Sequence, residues 1–171
     1  MTQSLNRIQF LRGNFKAEVV VRPPWAVSEE IFIEHCTRCD NCIAACHAGI
    51  LKRGGGGFPE VDFSKAGCDF CQACVNSCVE KALLLTDSTG QAPWQYKATF
   101  NNNCLSEQGI TCQSCGDVCE MRAIRFKMVV GGRALIEMDS SVCNGCGECV
   151  STCPVNAIQV KYSDPTETLH E

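Results

Sequence analysis

The segment 143–153, CNGCGECVSTC, contains four cysteines with the spacing C-x2-C-x2-C-x3-C. The same spacing occurs twice earlier in the chain, and a further set keeps its last three cysteines in step after a longer first gap. Self-similarity of this kind is the sequence signature of a repeated structural unit. The four sets are Cys36, Cys39, Cys42 and Cys46; Cys68, Cys71, Cys74 and Cys78; Cys104, Cys112, Cys115 and Cys119; and Cys143, Cys146, Cys149 and Cys153.

The abundance of cysteine restricts the classes of protein to which the chain can belong. Its 171 residues include 16 cysteines, which is far above the usage of globular proteins. Such enrichment is explained either by disulfides in an oxidising compartment or by metal binding in a reducing one. Residues 1–15 are not followed by the apolar run of a secretory signal, and no stretch is apolar enough to span a membrane. We therefore expect a soluble, cytoplasmic protein whose cysteines bind metal.

The spacing within each set indicates which metal centre it can hold. Three thiolates at i, i+3 and i+6 let one tight loop surround three corners of a cubane iron–sulfur cluster, and this run is the pattern of bacterial ferredoxins. Structural zinc sites are the alternative, but they usually place a longer segment between two C-x2-C pairs. The sequence therefore predicts four [4Fe–4S] clusters with all the cysteines as ligands.

The fourth cysteine of each set is predicted to bind a different cluster from the first three. In two-cluster ferredoxins this cysteine ligates the cluster of the other set. Applied to consecutive sets, the rule predicts four ligand groups, which we name site one to site four. Site one contains Cys36, Cys39, Cys42 and Cys78; site two contains Cys68, Cys71, Cys74 and Cys46; site three contains Cys104, Cys112, Cys115 and Cys153; and site four contains Cys143, Cys146, Cys149 and Cys119.

The segments between the cysteine sets predict an α+β fold of two bacterial-ferredoxin-like two-cluster units in tandem, with short helices and small antiparallel hairpins. Apolar residues alternate in 124–130, Gly131-Gly132 supplies a tight turn, and Leu135–Met138 returns as the partner strand. The first half repeats this pattern around Gly54–Gly57, and 82–86 is predicted to close it as a strand. The predicted boundaries are 1–27 for an N-terminal arm, 28–87 for the first unit, 88–98 for a linker, 99–163 for the second unit and 164–171 for a flexible tail.

Charge and the remaining motifs limit the possible functions. The net charge is −4, and four clusters with thiolate ligands would bring it to about −12. Such a surface disfavours nucleic acid and suits docking on a basic redox partner. We find no nucleophile–base set, paired carboxylates or HExxH motif, and we expect no enzymatic activity. The longer gap between Cys104 and Cys112 predicts either an exposed cluster at site three or a harmless loop insertion.

Three longer motifs narrow the choice of protein family to one. They occur together with the long gap of the third set and read Arg22-Pro23-Pro24-Trp25, His35-Cys36-Thr37-Arg38-Cys39-Asp40 and Cys68-Asp69-Phe70-Cys71-Gln72-Ala73-Cys74. Over residues 5–163 the chain resembles the NapF family of ferredoxin-type proteins of the periplasmic nitrate reductase system. The resemblance implies a cytoplasmic accessory protein that contacts the precursor of the nitrate reductase catalytic subunit and helps to install its iron–sulfur cluster before export. The alternative is a soluble electron-transfer protein or the electron-transfer subunit of an oxidoreductase.

Overall fold

The computed structural model describes residues 20–85, 93–131 and 133–163. Within these ranges the helices are short and the strands pair in three antiparallel two-stranded sheets. The helices are α1 (Glu29–His35), α2 (Asn41–Ala45), α3 (Ala73–Asn76), α4 (Ser114–Asp117) and α5 (Glu148–Thr152). The strands are β1 (Leu51–Arg53), β2 (Pro59–Val61), β3 (Tyr96–Phe100), β4 (Ile124–Met128), β5 (Ala134–Met138) and β6 (Ile158–Tyr162). The predicted tail, 164–171, and residues 1–19 of the predicted arm lie outside the described residues.

Both predicted hairpins are confirmed. Strands β1 and β2 pair from Leu51 opposite Val61, and a single 3₁₀ turn, Gly55–Gly57, joins them. Strands β4 and β5 pair from Ile124 opposite Met138, and Gly131 lies in the turn between them at φ 96°. Glycine reaches positive φ without steric cost, which explains why glycine-rich stretches mark both turns.

The strand predicted at 82–86 is wrong, because the structure reduces it to one β-bridge between Ala26 and Leu83. Two backbone hydrogen bonds flank the bridge: Val27 N–H donates to Ala82 O, and Leu84 N–H donates to Trp25 O. The pairing does not lengthen at one end because Trp25 N–H, the next donor of the ladder, donates to Pro93 O instead. At the other end it stops because helix α1 starts at residue 29. Residue 86 itself lies outside the described residues.

The end of the predicted linker, 88–98, is a strand. Strand β3 begins at Tyr96 and pairs antiparallel with β6, from Tyr96 opposite Tyr162 to Phe100 opposite Ile158. The last strand was expected from its alternation, but its partner was not. Local pattern could not identify β3, because its pairing partner lies at the other end of the second half. Residues 88–92 lie outside the described residues.

Arg22 anchors the described part of the N-terminal arm to the first half. Its guanidinium makes two hydrogen bonds with the Glu29 carboxylate, at 2.9 and 2.8 Å, and Nη1 donates to Pro59 O at 3.2 Å. The same group lies over the rings of Phe32 and Phe58, at 5.0 and 5.6 Å from their centroids. Arg22 is only 5 % exposed. Residues 20–27 are therefore part of the first half rather than a separate arm.

We predict that Arg22→Met lowers the free energy of unfolding by about 2 kcal/mol, because it removes charged hydrogen bonds from a buried position. Lys52→Met is the matched control, since the ion pair of Lys52 with Asp62 is largely exposed and its loss should cost less than about 0.5 kcal/mol. Denaturant midpoints of the anaerobic, metal-loaded proteins would measure both changes. Equal midpoints for the two variants would contradict the anchoring role of Arg22.

Candidate metal centres

The four thiols of site one line a single cavity. Cys36, Cys39 and Cys42 come from the loop before α2 and from α2 itself, whereas Cys78 follows α3. The cavity has a volume of about 390 Å³ and is also lined by the buried ring of Phe32. Two segments that are distant in sequence therefore bring four sulfur atoms to one place, in the grouping that the spacing predicts.

Sites two and three have the same construction. The thiols of site two line a cavity of about 340 Å³, and those of site three line one of about 320 Å³. In each case three thiols come from one set and the fourth comes from the other set of the same half: Cys46 at site two and Cys153 at site three. The identical donor atoms indicate the same kind of occupant.

At site four, electrostatic interactions show that the thiols lie close together. Burial raises the pKa of Cys149 to about 12, and the neighbouring thiols of Cys146, Cys143, Cys115 and Cys119 raise it further. Burial also raises the pKa of Cys146, again with contributions from Cys143 and Cys119. Cys115 and Cys119 both belong to the third set in sequence, so thiols of the third and fourth sets lie near one another.

The backbone of three cysteine loops passes through left-handed conformations at the same two positions. These positions are the second and fourth residues after the first cysteine of the set. At the first of them the residues are Arg38, Phe70 and Gly145, with φ 60°, 55° and 74°, and at the second they are Asp40, Gln72 and Gly147, with φ 63°, 65° and 79°. A non-glycine residue in this region costs on the order of 1–3 kcal/mol and persists only where its surroundings impose it.

Backbone amides also lie near two of the thiols. Phe70 N–H donates to Cys68 Sγ at 3.4 Å, and Ala157 N–H donates to Cys153 Sγ at 3.2 Å. Amides directed at sulfur stabilise negative charge there and tune the potential of a bound cluster. The third set differs, because Gln113, which corresponds to Asp40, has φ −132°.

Without a cation, the sites hold their thiols against ionisation. Burial is the largest cause and raises the pKa of Cys42 and Cys68 to about 12 and that of Cys74 and Cys115 to about 11. Crowding by neighbouring thiols adds to the effect at each of them. Metal ligation requires thiolates, and a positively charged iron core offsets both costs. The donor set therefore fits an iron–sulfur cluster.

The expectation that the long gap exposes site three is wrong. Cys104 and Cys115 are both buried, whereas the exposed cysteines in the described ranges are Cys39 and Cys71, in the first half. The inserted segment 105–111 packs onto β5: the buried hydroxyl of Ser106 donates to Ala134 O, and Glu107 Oε1 accepts from Ile136 N–H at 3.2 Å. The alternative of a loop insertion therefore holds, and the insertion covers the strand rather than opening the site.

Sequence spacing did not identify the polar group beside site two. His47 Nε2 lies 2.9 Å from Asp69 Oδ2, and His47 Nδ1 lies 3.7 Å from Cys71 Sγ. All three side chains are exposed. Because Cys71 is already one of the thiols of site two, this group is a neighbour of that site rather than a separate metal centre. In the sequence, this group was indicated only by the position of His47 directly after Cys46.

Comparison with known proteins agrees with this geometry. A protein-family model for the 4Fe-4S dicluster domain matches residues 110–157, and one for a 4Fe-4S binding domain matches residues 33–49. The chain therefore contains 4Fe–4S-binding domains. In the part of the chain that the structure describes, no helix is long and apolar enough to cross a membrane.

Curated relatives cover almost the whole chain. The ferredoxin-type protein NapF of Escherichia coli strain K12 is 42 % identical over 147 residues, which span 86 % of this chain and 88 % of the relative. NapF of Haemophilus influenzae is 42 % identical over 167 residues, spanning 91 % and 93 %. The chain belongs to the NapF family. A more distant relative of this chain, the methylamine utilization ferredoxin-type protein MauM of Methylobacillus flagellatus, is 32 % identical over 160 residues, spanning 85 % and 68 %.

The crossed grouping predicts which pairs of cysteine substitutions damage the same centre. Cys36→Ala and Cys78→Ala should each remove one cluster, about four iron atoms of about sixteen, and the double variant should lose no more than either single variant. Cys68→Ala/Cys78→Ala should lose two clusters, because these thiols lie in different cavities. Iron and acid-labile sulfide content of anaerobically reconstituted protein measures the losses.

Two further double variants serve as the matched control. Cys46→Ala/Cys68→Ala should lose the iron of one cluster, because both thiols belong to site two. Cys36→Ala/Cys46→Ala should lose the iron of two clusters, because the thiols belong to sites one and two. The crossed grouping is contradicted if Cys78 proves to share a centre with Cys68 instead of Cys36.

Proposed function

We propose that this NapF-family protein binds four [4Fe–4S] clusters, one at each of sites one to four, in two tandem two-cluster units. The observation that carries the proposal is that the four thiols of each of sites one to three line one cavity, with each group taken from two sets of the same half. Four sulfur donors around one cavity are what a cubane cluster requires, since each of its iron atoms needs one ligand from the protein. When bound, the clusters supply one-electron redox chemistry, and the chain orients and shields them.

We further propose that the protein is a cytoplasmic maturation factor for the catalytic subunit of a periplasmic nitrate reductase, as the family resemblance implies. A reducing compartment keeps the cysteines available for iron. Exposure of Cys39 and Cys71 supports the role, because an acceptor thiolate can reach a ligand position there. The clusters of the first half are then the transferable ones.

Electron transfer is the second candidate function, and the second half favours it. Cys104, Cys115, Cys143 and Cys149 are buried, so clusters held there are shielded from acceptor thiols and from solvent. Shielding stabilises a cluster through repeated cycles of oxidation and reduction. A carrier retains every cluster while its partner changes oxidation state, whereas a maturation factor loses iron to the partner.

Transfer of labelled iron distinguishes these functions. Anaerobic protein carrying radiolabelled iron and acid-labile sulfide is mixed with the cluster-free precursor of the nitrate reductase catalytic subunit, and the two are separated again. The label should move to the precursor, while the donor keeps about eight iron atoms in the buried second half. Stable clusters and an unlabelled precursor would contradict maturation and favour the electron carrier.

Two double variants serve as matched controls for the origin of the label. Cys112→Ala/Cys146→Ala disrupts sites three and four and should still donate iron. Cys39→Ala/Cys71→Ala disrupts sites one and two and should donate none. Equal donation by both variants would contradict the assignment of transfer to the first half.

A further inference from the structure

The two halves of the chain meet through the cysteine loops of sites two and four. Cys68 N–H donates to Cys146 O at 2.7 Å, so a ligand residue of one site is hydrogen-bonded directly to a ligand residue of the other. Beside it, Gly67 N–H donates to Glu148 Oε2 at 2.8 Å. We name these contacts the Cys68–Cys146 junction.

Trp94 joins both loops at this junction. Its indole Nε1–H donates to Asn144 O, in the loop of site four, at 2.8 Å. Its ring packs edge-on against Phe70, in the loop of site two, with centroids 5.6 Å apart, and against Phe63 at 6.0 Å. The side chain is 8 % exposed. One buried residue therefore holds the two loops in register by both a hydrogen bond and aromatic contacts.

Two glycines allow the close approach. A Cβ atom at Gly147 would lie 2.3 Å from the Phe63 ring, and one at Gly145 would lie 2.2 Å from Tyr96 O. Both residues also have positive φ, which glycine adopts most readily. A side chain at Gly147 would push the loop of site four away from Phe63 of the first half, and one at Gly145 would push it away from strand β3 and Trp94. The contact therefore depends on this local sequence.

Within each half, the sites are also neighbours. Helix α3 carries Cys74 of site two and is followed by Cys78 of site one. In the second half, helix α5 carries Cys149 of site four and is followed by Cys153 of site three. The junction adds a third link between these two pairs. In sequence order the sites are one, two, three and four, but their spatial order is one, two, four and three.

We propose that the Cys68–Cys146 junction makes sites two and four an electronically coupled pair, through which electrons cross between the halves. This inference rests on the proposed loading of all four sites. The step is a single electron leaving a reduced cluster at site two and entering an oxidised cluster at site four; one core is oxidised, the other is reduced, and no proton or bond changes place. Because electron transfer weakens steeply with separation, the junction sets the route between the halves.

Variants that leave two chosen clusters test the coupling. Cys39→Ala/Cys112→Ala disrupts sites one and three and leaves two and four. Cys71→Ala/Cys112→Ala disrupts sites two and three and leaves one and four. After full reduction under anaerobic conditions, the electron paramagnetic resonance spectrum of the first variant should be broadened or split by spin–spin interaction. The second should give two separate signals that integrate to two spins.

Iron content separates failure of this inference from failure of the proposed function. Each double variant should retain about eight iron atoms if the four sites are loaded as proposed. If each double variant retains about eight iron atoms but sites two and four show no spin–spin interaction, the coupling alone is overturned. Iron content that does not fall by one cluster for each disrupted site overturns the proposed function instead.

A substitution at the junction provides a second test that leaves every ligand in place. In the variant that retains only sites two and four, Trp94→Phe keeps an aromatic ring but removes the donor to Asn144 O, and the broadening should decrease. Tyr162→Phe is the matched control, because it removes one hydroxyl from an exposed ring of strand β6, outside the junction. Equal spectra for the two variants would show that Trp94 does not position the loops.

Discussion

The fold depends on bringing four thiols to one place from two distant segments of each half. Cys78 completes the cavity of the first set and Cys46 that of the second, so neither loop is finished without the other. The described helices and two-stranded sheets are too short to be stable alone in water. Buried thiols also occupy much of the interior of both halves. Iron–thiolate bonds would therefore supply a large share of the folding free energy, as in other small metal-binding domains.

Local sequence pattern predicted those features that are local in the structure. The hairpin from Ile124 to Met138 follows from alternation and a glycine turn. Strand β3 escaped prediction because its partner, β6, lies at the far end of the half. The short pairing of Leu83 escaped prediction because it depends on Trp25 N–H, which donates to Pro93 O instead. The burial of Cys104 was equally hidden, since it depends on how 105–111 packs against β5.

The structure makes the two halves unequal, although their cysteine patterns are nearly the same. The first half leaves one ligand of each site exposed, at Cys39 and Cys71, and the second half buries two ligands of each. Spacing cannot show this difference, because exposure is set by what covers each loop. In the second half, the inserted segment 105–111 packs on β5 beside site three. At the contact between the halves, Trp94 packs on Phe63 and Phe70.

This asymmetry changes how the two candidate functions relate to each other. A cluster that is transferred must be accessible to an acceptor protein, whereas a cluster that stores an electron must be shielded from solvent. The first half meets the first requirement, and the second half meets the second. The hydrogen bond from Cys68 to Cys146 then joins the first half, which has the exposed thiols, to the second half, which has more buried thiols. An electron held at site four would lie next to the cluster at site two while that cluster is built or released. Under the proposed function, cluster donation and electron transfer would be compatible in one chain, because the thiols of the two halves differ in exposure.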